Sequence, residues 1–222
     1  MTRSIDLIIF DCDGVLVDSE ILSSQIYADY LTAVGFPHTP AECDARYLGM
    51  TDASMVRIFA QQGTPLPDTF VDDVLALEHD VMARDLQAIP DIHAALRDID
   101  VPYCVGSSGH PGKINHSLTK TGLADFFGSN IFSGTQVENG KPAPDLFLFA
   151  AEQMNTPPER VLVIEDSPAG VQAGVAAGMT VVGFTGGSHI SPGHDDTLRG
   201  LGAHHILDHM NGLPDLIASL QT

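Results

Sequence analysis

Two aspartates one residue apart, Asp11 and Asp13, follow directly on the apolar run Ile5-Asp6-Leu7-Ile8-Ile9-Phe10, so a pair of carboxylates stands just past what reads as a buried strand. In open α/β sheets that edge faces the crevice where ligands bind. Two anions placed there repel each other, and a divalent cation between them relieves the repulsion. A second acidic pair, Glu165-Asp166, ends the apolar run Val161-Leu162-Val163-Ile164 at the same kind of edge. Structural Ca²⁺ takes ligands at alternating positions of one loop, whereas these acids come from two distant strands. Catalytic Mg²⁺ that keeps several waters is the better fit. Lys141, in Gly140-Lys141-Pro142-Ala143-Pro144-Asp145, lies at a helix start, where the macrodipole disfavours a cation unless an anion is bound beside it. Ser107-Ser108-Gly109 follows another apolar run and precedes the helix opened by Pro111, so it offers hydroxyls and backbone N–H groups to an anion.

The elements that must position these groups read as an α/β chain with a parallel sheet. Besides the two runs above, strands are expected at Tyr103-Cys104-Val105-Gly106, Asn130-Ile131-Phe132, Thr180-Val181-Val182-Gly183-Phe184 and His205-Ile206-Leu207, with amphipathic segments between them. Pro111 and Gly122 bracket one helix, Pro142 and Pro144 open a second, and Pro168 and Gly178 enclose a third rich in small residues (Ala169, Gly170, Ala173, Gly174). From Phe10 to Pro102 the gap is about 90 residues, whereas a βαβ crossover needs roughly a dozen. An inserted domain is therefore expected at 19–87, with 1–18 and 88–222 forming the core. The insert reads as helices at 19–34, 40–47, 51–62 and 68–86.

Composition narrows the partners. The 222 residues are 44% hydrophobic, enough for a sizeable core, and 29 acidic against 10 basic residues give a formal charge of −19. That balance disfavours nucleic acid and anionic membranes. No apolar run approaches the roughly 18 residues of a membrane span. Cys12, Cys43 and Cys104 lack metal-ligand spacing, which suits a reducing cytoplasm. His194, His204, His205 and His209 match no metal-binding helix pattern and read as exposed loop residues, while His189, just past a strand at the active edge, reads as a substrate contact.

The constellation as a whole resembles the haloacid dehalogenase (HAD) superfamily. Asp11-Cys12-Asp13-Gly14-Val15-Leu16-Val17-Asp18-Ser19-Glu20 matches its first motif, Ser107 the second, Lys141 in Gly-Lys-Pro-x-Pro-Asp the third, and Glu165-Asp166-Ser167 with Gly170 and Gly174-Gly178 the fourth. The helical insertion after the first motif is similar to the cap of the β-phosphoglucomutase-like group, which includes 6-phosphogluconate phosphatase. The resemblance implies a Rossmann-like core of strand order 3-2-1-4-5, with Asp11 at the topological switch point. It further implies Asp11 as nucleophile, Asp13 as general acid and base, and Ser107, Ser108 and Lys141 on the phosphoryl group. Mg²⁺ would be held by Asp11, the Asp13 main-chain carbonyl and Asp166, with Glu165 as a direct or outer ligand.

Departures from relatives narrow the reaction to hydrolysis of a small phosphate ester, a sugar or sugar-acid phosphate. The superfamily's dehalogenases lack the metal-binding acids present here, and phosphonoacetaldehyde hydrolase needs a cap lysine, absent here. A β-phosphoglucomutase-type mutase shares all four motifs and stands as the alternative, ahead of a non-catalytic phosphate-binding relative. The mutase grips a second phosphate with a cap arginine, whereas Gly49-Met50-Thr51-Asp52 sets Asp52 at that place, and Gly49 and Asp52 are assigned to the substrate.

Overall fold

Six short apolar segments pair side by side in one sheet: β1 (Leu7–Phe10), β2 (Tyr103–Ser107), β3 (Ile131–Ser133), β4 (Val161–Glu165), β5 (Thr180–Phe184) and β6 (His205–Leu207). The computed structural model describes residues 4–47 and 52–221. All strand pairs are parallel and the order is β3-β2-β1-β4-β5-β6. The expected order 3-2-1-4-5 is thus extended by an edge strand, β6. Every residue of β1 and β4 is buried, which is why both read as unbroken apolar runs rather than alternating ones. Register sets Phe10 beside Ile164, so the chain leaves β1 at Asp11 level with the acidic end of β4.

The chain forms two compact units, Met1–Asp18 with Gln87–Thr222, and Ser19–Leu86. The second unit holds α1 (Glu20–Ala33), α2 (Pro40–Tyr47), α3 (Asp52–Gln61) and α4 (Phe70–Asp85). Ile26, Leu31, Cys43, Tyr47, Met55, Phe59, Phe70 and Val74 form its core. Hydroxyls on α1 tie the other three helices to it: Ser24 donates to Asp44, Ser23 to Glu78 Oε1 at 3.3 Å, and the Tyr27 phenol to Asp52 Oδ1 at 2.6 Å. Burial, with the Asp52 contact second, pushes the Tyr27 phenol far above its ordinary range, so it remains a donor.

In the first unit the helices are α5 (Ile92–Arg97), α6 (Pro111–Lys120), α7 (Ala124–Phe127), α8 (Asp145–Gln153), α9 (Pro168–Ala176), α10 (His194–Gly200) and α11 (Leu213–Leu220). Leu7, Ile9, Val161, Val163 and Val181 pack with Phe147 of α8 and with Val171 and Ala173 of α9. Phe10, Tyr103 and Phe127 meet edge to face, with centroids 5.3 to 6.2 Å apart. Past β1 the chain makes a tight turn: Gly14 N–H donates to Val17 O at 2.8 Å and Leu16 N–H to Cys12 O at 2.9 Å. Val17 bridges Ala88 antiparallel, and Asp18 N–H donates to Gln87 O at 3.0 Å. Cys12, Cys43 and Cys104 are buried free thiols. Among the described residues no helix is long and apolar enough to cross a membrane.

Candidate active site

Parallel pairing of β1 with β4 puts Asp11 and Glu165-Asp166 on one edge, and the loop before α8 brings Lys141 to them. Lys141 Nζ donates to Asp11 Oδ1 at 2.6 Å and to Glu165 Oε1 at 2.8 Å. Its side chain is 5% exposed and lies 4.7 Å over the Phe147 ring. Burial works against its charge, yet the two carboxylates prevail and hold the ammonium above the ordinary lysine range. The opposite imbalance falls on the acids. Burial pushes the Asp11 carboxyl well up, Lys141 pulls it down, and the charges of Glu165 and Asp166 push it up again. Asp166 is likewise raised, by burial first and then by Glu165.

Glu165 is oriented inward. Its Oε2 accepts from Ser167 N–H at 2.7 Å and Ser167 Oγ–H at 2.9 Å, while Oε1 faces Lys141. Ser167 also caps α9, its Oγ accepting from Gly170 N–H at 3.0 Å. A Cβ at Gly170 would overlap Glu165 Oε1, so the small residue there makes room for the acid. Ser167→Ala removes the cap and one of the bonds to Glu165, and a stability loss of about 1–2 kcal/mol is expected. A urea midpoint equal to that of the unmodified protein would show that the hydroxyl does neither job.

Asp166 belongs to the other side of the edge. Its Oδ2 lies 3.0 Å from His189 Nε2, and its main-chain oxygen 2.6 Å from His194 Nε2. Gly14, at φ +77°, passes so close that a Cβ would overlap Asp166 Oδ2. The expectation for these histidines is corrected accordingly: His194 is bonded to Asp166 rather than an idle loop residue, and the His189 ring is committed to an acid rather than turned to substrate. His204 is also engaged, its Nδ1 accepting from Val181 N–H at 3.0 Å. No spacing rule finds such contacts, because each joins a lone histidine to a distant strand.

Asp13 and Ser107 come together, since a Cβ at Gly109 would lie 3.3 Å from Ser107 Oγ and 3.9 Å from Asp13 Oδ2. Asp13 is half-buried and follows Asp11 in the tight turn past β1. Ser107, 1% exposed at the end of β2, accepts from Gly109 N–H at 3.1 Å, which leaves its own hydroxyl proton free to donate outward. Ser108 is exposed. Asp52 belongs to the helical unit, where Tyr27 holds it, and Gly49 lies outside the described residues.

A small divalent cation fits this donor set. Asp11 and Asp166 offer buried carboxylate oxygens crowded with Glu165 around one ammonium, and glycine at position 14 leaves space for the Asp166 carboxylate. Among the described residues no group of three or more His, Cys, Asp or Glu side chains converges as a metal cage. Mg²⁺ asks for none, since it binds through one or two carboxylates and keeps its waters.

Comparisons with known proteins agree with this edge chemistry. The family profile described as haloacid dehalogenase-like hydrolase matches residues 8–184. A 6-phosphogluconate phosphatase of Escherichia coli (strain K12) is 35% identical over 193 residues, covering 85% of this chain and 86% of that protein. A solved haloacid dehalogenase-like protein of unknown function from Agrobacterium tumefaciens superposes with a TM-score of 0.89 at 38% identity, over 99% of this chain and 100% of its own. A HAD family hydrolase from Deinococcus radiodurans, solved with bound phosphate and sodium, has a TM-score of 0.84 at 32% identity, over 98% and 97% of the two chains. With the family profile spanning most of the sheet and both acidic strand ends, this chain belongs to the haloacid dehalogenase-like hydrolases.

Proposed function

We propose that this hydrolase is a Mg²⁺-dependent phosphatase for small phosphomonoesters, sugar or sugar-acid phosphates, working through an aspartyl phosphate on Asp11. The observation that carries the reading is the buried Lys141 ammonium, 2.6 Å from Asp11 Oδ1. A carboxylate cannot approach a phosphate dianion unless cations offset the repulsion, and a fixed ammonium against the attacking group supplies part of that offset. Asp11 attacks phosphorus in line as the ester P–O bond breaks, and Asp13 gives its proton to the departing oxygen. Asp13 then takes a proton from the water that cleaves the aspartyl phosphate and returns the carboxylate. Ser107 and Lys141 hold the phosphoryl oxygens, with Ser108 at the rim. The Asp11 and Asp166 carboxylates and the Asp13 main-chain carbonyl would hold Mg²⁺, and Glu165 acts on them through Lys141. When bound, Mg²⁺ neutralises phosphoryl charge and orients the group for attack.

The Escherichia coli relative makes 6-phosphogluconate the first substrate to try. Three buried free thiols favour a reducing compartment, the cytoplasm. In the sequence Asp52 stands where the mutase carries its cap arginine, and the loss of that cation disfavours a second phosphate and hence mutase chemistry. A panel of metabolite phosphates, including 6-phosphogluconate and β-glucose 1-phosphate primed with glucose 1,6-bisphosphate, tests both points. Inorganic phosphate should appear only with Mg²⁺, stop with EDTA and resume on adding Mg²⁺. Glucose 6-phosphate forming faster than phosphate would establish the mutase, and silence across the panel would sink the phosphatase.

A further inference from the structure

We propose that His189 is a positioning residue that holds Asp166 by one carboxylate oxygen and so fixes the direction from which this acid meets a divalent cation. The inference rests on the Mg²⁺-dependent reading above and adds a residue outside the four motifs.

The side chains of His189 and Asp166 are 3% and 5% exposed, and Nε2 meets Oδ2 at 3.0 Å. Ring and carboxylate fill one narrow slot between two glycines. A Cβ at Gly187 would lie 2.8 Å from His189 Cε1, and one at Gly14 would lie 3.1 Å from the same atom while overlapping Asp166 Oδ2. The loop that carries the ring is itself fastened. Thr185 N–H donates to Leu207 O at 2.8 Å, Ser188 N–H to Asp18 Oδ1 at 3.1 Å and Ile190 N–H to Gly187 O at 3.2 Å. From the same segment His194 reaches the Asp166 main-chain oxygen at 2.6 Å. Two imidazoles therefore grip one residue at its backbone and at its carboxylate, and a plain ion pair would require only the second. A carboxylate held at one oxygen presents the other in a single direction. Such outer bonds to metal ligands are worth about 10–100-fold in metal affinity.

Calorimetric titration of the full chain with MgCl₂ tests this, using His189→Phe, which keeps a ring without a donor, and His189→Gln, which restores an N–H donor. We expect His189→Phe to weaken Mg²⁺ binding by about 10–100-fold and His189→Gln to recover most of it. Both should melt near the unmodified protein in EDTA. Binding by His189→Phe that is unchanged or tighter, or an equal loss in both variants, would overturn the positioning role. Should His189→Phe fail to fold, His189→Ala takes its place against His189→Gln with the same two outcomes. If the unmodified protein releases phosphate without taking up Mg²⁺, the metal reading falls and this inference with it. Normal uptake with an unaffected His189→Phe removes the inference alone.

Discussion

Asp11→Asn is expected to lower the rate of phosphate release by on the order of 10⁴-fold or more while the protein stays folded, because an amide cannot supply the nucleophilic oxygen and the geometry otherwise survives. The stability side of this expectation is specific. Asp11 is buried beside Glu165 and Asp166, whose charges oppose its own, so neutralising it relieves repulsion. Lys141 loses one partner but keeps Glu165 Oε1 at 2.8 Å. The melting temperature should therefore be equal or higher. A turnover within tenfold of the unmodified protein, on p-nitrophenyl phosphate at saturating Mg²⁺, would end the covalent mechanism.

Lys141→Met should damage both activity and stability. Methionine fills a similar volume and can keep a contact with the Phe147 ring, which Nζ now approaches to 4.7 Å, so packing is largely conserved. What disappears is the ammonium that bonds both Asp11 and Glu165. Removing one partner of a buried ion pair costs about 3–5 kcal/mol, a large share of the roughly 5–15 kcal/mol that holds a domain together. The pH dependence follows from the sign of the shift. Lys141 pulls the Asp11 carboxyl down, so its loss raises the folded-state value further above the unfolded one. A group raised on folding favours the folded state below its unfolded pKa and loses that advantage as pH rises through the folded one. The deficit of the variant should accordingly shrink from pH 8 to pH 5, read as urea midpoints. A midpoint close to that of the unmodified protein at pH 8, or a deficit that grows on acidification, would contradict the account.

Much of the core was legible because buried parallel strands have a strong signal. Thr180–Phe184 has the bounds that its apolar run suggests, and β6 lies where His205-Ile206-Leu207 does. The helix at 40–47 and the end of β4 are equally plain, since proline, glycine and acid punctuation coincide with the change of period. Gly170 carried an ambiguous signal. In the sequence it is one of several small residues in its helix, whereas in the structure it gives Glu165 its place. The direction of Glu165 could not be read at all, because adjacent acids at a strand end alternate sides only once the strand is built. His189, His194 and Tyr27 escaped for a different reason. Each makes one contact with a residue far away in the chain, and a single side chain of this kind leaves no periodicity to detect.

The pairing of Val17 with Ala88 and of Asp18 with Gln87 bears on how such a protein can change. The two ends of the helical segment are already one hydrogen bond apart within the sheet-bearing unit, so its loop is closed by the core itself. Doubling the length of such a loop costs only about 0.6 kcal/mol in closure entropy. Segments of very different size could be exchanged at this doorway with little penalty to the sheet, which leaves the acidic edge constant while the inserted helices are free to diverge.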